Sequence, residues 1–290
     1  MTHVVNKAFP ILMDGSASPK MPFMSSRSTP AEVGSPYALL LAAGVGTAAA
    51  AWLDAWSFAG FVSAALGAAV YASLARSPRV MRLPATACAV SFPLLVVQAG
   101  ETGLLWAATI SFVVLAGASI MRGLRPGLVA SLALALLDVV YISSLGSHLV
   151  LIKDFRSGSQ MVTAFFLMAG AYEAASALVV ARRPERRATP KAARHKAWFD
   201  WRAGLAGALA CEVVALGARM LIGLPLEMTA ILILGLVVAA AAALGSAIGG
   251  LVAEDLGARL SGREVAALRH LNAALVAAPA FYYGFRLYLS

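Results

Sequence analysis

The chain has 290 residues, 60% of them hydrophobic and only 13% charged. Soluble domains carry roughly 25% Asp, Glu, Lys and Arg, so this chain cannot give a globule a wettable surface. With a mean hydropathy of +0.80, that excludes a water-soluble enzyme, a disordered chain, a collagen and a nucleic-acid domain. It points to an all-α, polytopic integral membrane bundle. The net charge of +9 fits basic residues gathered in cytoplasmic loops and near anionic headgroups, and does not call for nucleic acid. Cys88 and Cys211 sit in apolar runs without CxxC spacing, as small core residues do.

Residues 1–35 hold no long apolar segment and read as a loose cytoplasmic tail. The short run Ala8–Met13 gives way to Asp14 and a polar stretch, which is unlike a cleavable signal. Nine candidate spans follow, at about 37–53, 56–75, 83–99, 102–121, 127–147, 161–181, 203–222, 226–248 and 271–289. Each is near the length that a bilayer core requires. The last carries Arg286 and three tyrosines, which suit an interface.

Orientation follows from Lys and Arg. With the N-terminus inside, the inner segments hold 19 basic residues and the outer loops two, Lys153 and Arg156. That asymmetry sets a cytoplasmic N-terminus and, for nine spans, an outer C-terminus. Two inner loops are longer than turns. Arg182–Arg202 is basic and contains Lys191, Arg194, Lys196 and Trp198; Gly249–Arg269 contains Glu254 and Asp255. Basic loops orient a membrane protein, and they can also bind phosphates of lipid headgroups or nucleotides.

Charges inside spans are costly and therefore informative. Asp138, Glu173, Glu212 and Arg219 qualify. Glu212 and Arg219 share a helix face, yet seven residues place them about 10 Å apart, so each needs a partner elsewhere. Interhelical pairing inside the bundle is one reading, and a polar cavity or ion path is the other.

From residue 161 onward the order of features resembles the phosphatidate cytidylyltransferase (CDP-diacylglycerol synthase) family. Gly170-Ala171-Tyr172 stands where that family has Asp-x-Gly-Ala-Tyr. Pro190-Lys191, then Lys196-Ala197-Trp198, stand at its Ser-Pro-x-Lys-Thr-Trp loop, followed at similar spacing by Gly204-Leu205. Leu244-Gly245 matches the start of its Gly-Asp-Leu-x-Glu-Ser motif, and Leu268–Asn272 leads to Ala277-Ala278-Pro279 at its last helix. The resemblance implies a C-terminal cytidylyltransferase-like membrane domain over residues 161–290, after N-terminal transmembrane helices at 36–160.

In that family aspartates hold divalent cations, which neutralise CTP phosphates while a phosphatidate oxygen attacks. Here Met168 replaces the first Asp, Ser246 the Asp of Gly-Asp-Leu and Gly249 its Glu. Arg269, His270, Asn272 and Ala273 occupy the final Asp-Arg-x-Asp-Ser positions, and the Pro-Gly-His-Gly-Gly turn is missing. Without hard oxygen ligands there is no metal clamp, and the clamp supplies most of what phosphoryl-type transfer asks of a protein. The resemblance therefore implies a degenerate relative, with no confident catalytic residue, no metal and no cofactor. Its partners would be an anionic phospholipid headgroup at Lys191, Arg194, Lys196 and Trp198, with CTP and an oligomeric mate as further candidates and no nucleic acid. The alternatives are an active divergent nucleotidyltransferase using Glu254 and Asp255 with Mg²⁺, and a small-solute transporter.

Overall fold

In the computed structural model, residues 46–74, 79–121, 123, 128–182, 200–256 and 262–289 are described. The helices they form lie within one compact unit, Ser35–Ser290. The architecture is all-helical among the described residues, as expected, and seven helices are long and apolar enough to cross a membrane.

Helix α1 (Ala55–Ser73) starts where Asp54 caps it: one carboxylate oxygen accepts from the Trp56 and Ser57 amides, both at 3.0 Å, and the other from Ser57 Oγ at 2.6 Å. These bonds fill donors that a helix start leaves open. The Ser57 hydroxyl and amide also hold the Asp54 carboxyl below its ordinary value of 3.8. A depressed carboxyl contributes stability above its unfolded-state value and loses it as pH falls through the folded value. The melting temperature should therefore drop on acidification below about pH 4, and Asp54→Ala should flatten that part of a pH series. An unchanged acid limb in the variant would remove the cap from the account.

Helix α2 (Arg79–Ala99) and α3 (Glu101–Met121) form a hairpin around a single residue, Gly100, at φ 57°. Only glycine adopts that conformation without strain. Gly103 lets the hairpin close, since a Cβ there would lie 2.4 Å from Leu95 O. The buried residues of α3 are Gly103, Ala107, Ser111, Leu115 and Ser119, a stripe of spacing four. Its other face exposes Leu105, Trp106, Phe112 and Val113. A soluble protein could not present such a face to water; facing lipid, it costs nothing.

Next comes a helix that changes winding in mid-course: α4 (Leu128–Asp138), a π-helical turn over Val139–Ser144, and α5 (Leu145–Lys153). It is the central helix. Of the most apolar 18-residue stretch within Ser131–Lys153, 56% is buried, against at most 39% of the corresponding stretch of any other span. Gly146 presses on Leu66 of α1 closely enough that a Cβ would overlap its methyls. The sequence reading ends this span at 147 because Lys153 reads as loop. The structure carries it to Lys153, whose ammonium turns back onto Ala51 O and Ser159 Oγ.

Four further helices complete the chain: α6 (Gly158–Ala181), α7 (Trp201–Ile222), α8 (Met228–Leu256) and α9 (Gly262–Leu289). Helix α7 stops at Gly223, left-handed at φ 70°, a common helix terminator. Helix α9 runs back to the start of α3. Its Tyr282 hydroxyl donates to Glu101 Oε1 at 2.9 Å and Arg286 pairs with the same carboxylate, which opens α3. Arg286 is thus held at the end of α9 by the first residue of α3. Helix α9 is nevertheless not among the seven apolar spans, and the candidate span 37–53 falls mostly outside the described residues.

Candidate functional site

The last four helices alternate in direction, and their contacts fix the register. Ser176 Oγ donates to Ala203 O at 2.9 Å, and a Cβ on Gly207 would strike the Tyr172 ring. One turn further along α7, the Glu212 carboxyl lies on Gly235 of α8, and Cys211 Sγ donates to Gly235 O at 3.4 Å. Gly245 of α8 meets Asn272 and Ala273 of α9 backbone to backbone. Helix ends at Ala181, Trp201, Leu256 and Gly262 accordingly share one end of this group.

Several positions carrying the family resemblance can be placed. Met168, where the family has an aspartate, is fully buried in the apolar core with Phe165 and Phe281. Tyr172 is buried against Gly207. Gly245 and Asn272, 27 residues apart in sequence, come into contact, and neither they nor Ser246 and Ala273 beside them carry a carboxylate. Lys191, Arg194, Lys196 and Trp198 lie outside the described residues. Glu254 and Asp255 fall in the last turns of α8, with their side chains outside the described set.

The four intramembrane charges have separate surroundings. Asp138 closes α4 and accepts from Ser73 Oγ at 2.9 Å, at the end of α1. Arg219 lies in the last turn of α7, where a cation meets the negative helix end favourably, and it donates to Met228 Sδ at 3.5 Å. Glu212 lies ten residues from the end of its helix, about 15 Å along the axis. Its Oε2 is buried with no hydrogen-bond partner among the described residues. Glu173 follows Tyr172 on α6, half-buried.

Sequence reasoning passed over the polar run of the central helix, Tyr141 to His148. Hydroxyls and one imidazole do not interrupt a hydropathy window, yet this run is the most deeply buried polar stretch of the described chain. Ser143, Ser147 and His148 are 0%, 0% and 4% exposed. At the opposite end from Asp138, a recess of about 330 Å³ opens among Trp52, Lys153, Phe155, Arg156 and Ser159. It holds both cations that the sequence assigns to the outer loops. Among the described residues no three His, Cys, Asp or Glu side chains group as a metal site.

No family model matches this chain, and no curated protein matches it by sequence.

Proposed function

We propose that the chain is a catalytically degenerate relative of the phosphatidate cytidylyltransferases, one that binds an anionic phospholipid headgroup and regulates instead of catalysing. The observation that carries this reading is the Gly245–Asn272 contact. Two stretches resembling separate motifs of that family meet across α8 and α9, with glycine, serine, asparagine and alanine where the family's carboxylates would hold its cations. Met168 supports the same reading, because a thioether packed in an apolar core cannot take the place of a metal-binding aspartate. The headgroup would sit at the end where α6, α7, α8 and α9 turn, against Lys191, Arg194, Lys196 and Trp198. In the full reading the chain crosses a bacterial inner membrane nine times from a cytoplasmic N-terminus.

Detergent-purified protein given CTP, Mg²⁺ and phosphatidate should yield no CDP-diacylglycerol, while it retains phosphatidate in a binding assay. Lys191→Ala with Lys196→Ala should weaken that binding at least about tenfold, the loss expected for charge-assisted hydrogen bonds to a phosphate. Turnover that disappears in Asp255→Ala would overturn the degenerate reading and restore a metal-dependent nucleotidyltransferase. Binding unchanged by the double substitution would reduce the basic loop to an orientation signal.

A further inference from the structure

Most hydroxyl side chains elsewhere in the described spans bond to a main-chain carbonyl, Ser63 and Ser176 across to a neighbouring helix, while Ser111 of α3 is buried without a partner among the described residues. Thr86, Thr109, Ser119 and Thr163 each donate to the carbonyl four residues earlier, at 2.7–2.9 Å. Such back-bonding is how a hydroxyl is accommodated in lipid. The central helix breaks this pattern at Ser143 and Ser147: both hydroxyls are fully buried and neither has a partner among the described residues. The Tyr141 hydroxyl and His148 Nε2 are in the same condition. For His148 the tautomer follows from chemistry. Nδ1 lies 2.8 Å from Ser144 O, and a carbonyl can only accept, so Nδ1 carries the proton. In the neutral ring Nε2 is then an acceptor.

Each such group left open would carry the full penalty of its lost hydration. Buried polar groups without protein partners are ordinarily satisfied by internal water. The π-helical turn over Val139–Ser144 lies in the same stretch. Turns of this kind loosen the ladder of main-chain bonds and recur at functional sites.

Both ends of the stretch lead outward. On one side Asp138 immediately precedes the π turn and meets the exposed end of α1 through Ser73. On the other, the His148 ring stands edge-on to Tyr282 and Tyr283 of α9, with centroids 5.9 and 5.6 Å away. Among the described residues, these two tyrosines make the ring contacts of the imidazole. Tyr282 in turn donates to Glu101, which is paired with Arg286 at the end of α9. Asp138 and His148 are ten residues apart, about 15 Å of helix, with Tyr141, Ser143 and Ser147 in between.

The geometry points to a water-lined proton path along the central helix: water held by Tyr141, Ser143, Ser147 and His148 passes protons between Asp138 and Glu101. Each transfer is balanced. A hydronium on the Asp138 side donates a proton to Nε2 and is left as water, the imidazolium releases a proton from the same nitrogen to the next water, which carries it onward as hydronium, and the ring returns to its starting tautomer. The path shares no residue with the proposed headgroup site, so either reading can fail alone.

The test is proton flux into phosphatidylcholine vesicles holding the purified full chain and a pH-sensitive dye, driven by a valinomycin-clamped potassium gradient. Wild type should conduct above protein-free vesicles. His148→Phe keeps an aromatic ring against Tyr282 and Tyr283 but removes both nitrogens, and should fall to the protein-free level. Tyr282→Phe, which keeps the ring and loses only the hydroxyl, and Ser147→Ala should each slow the flux and decide the matter if His148→Phe does not fold. Flux from wild type no greater than from protein-free vesicles overturns the path. So does flux undiminished in the folded variants.

Discussion

Gly245→Val is expected to prevent α8 and α9 from docking. A Cβ at this position would lie 2.3 Å from Asn272 O, and 2.8 Å from both Asn272 C and Ala273 Cα. All three are backbone atoms, so no rotamer change makes room; the helices themselves must separate. Membrane helices associate largely through close van der Waals packing, not through expulsion of water, and dispersion contacts weaken steeply with separation. Overpacking typically costs about 1–3 kcal/mol, and a backbone-on-backbone collision belongs at or above the top of that range. Thermal melting in detergent, followed by fluorescence-detected gel filtration, should show a loss of monodisperse protein. Gly217→Val is the matched control, because a Cβ there meets nothing within 4 Å. If both variants melt alike, the α8–α9 contact is looser than the structure has it, and the convergence of the two family-like stretches loses its support.

That contact also shows what a sequence can convey about such a molecule. Long apolar runs bounded by arginine-bearing loops made the helices from α1 onward legible, since length and hydropathy are sufficient for a chain in lipid. The ends were less legible, because polar side chains near a rim fold back onto the bundle. Lys153 reads as loop by charge, yet its amine is bound by Ala51 O and Ser159. Arg219 reads as intramembrane, yet it occupies a last helical turn beside Met228. Which face a polar residue takes was not legible at all. Glycophilic stripes and Ser-rich runs look the same whether they meet lipid or a neighbouring helix, and only the packing separates Ser143 and Ser147, fully buried, from hydroxyls that bond to their own helix. As for the candidate sites, the sequence singled out Glu212 by its cost and Gly245 by its motif-like place. It could give neither of them a neighbour.

For Glu212 the neighbour is Gly235, and the expected result is a reversal of sign in a double-mutant cycle. In a helix interior, alanine is more favourable than glycine by about 1 kcal/mol, so Gly235→Ala should stabilise α8 if space allowed it. It does not: the added methyl would lie 2.7 Å from Glu212 Oε2 and 2.9 Å from Cδ and Oε1. The carboxyl must move off the position in which it packs on α8. Gly235→Ala alone should therefore lower the melting temperature. In a Glu212→Ala background the obstruction is gone, and the same substitution should raise it. The coupling is expected at about 1–2 kcal/mol, within the range for residues in direct contact. Glu212→Ala by itself should be neutral or stabilising, since a carboxyl within a membrane-spanning helix costs up to several kcal/mol. Additive effects across the cycle would mean that the carboxyl points away from α8. A large loss from Glu212→Ala alone would mean that it has a partner of its own, and that the glycine opposite is incidental.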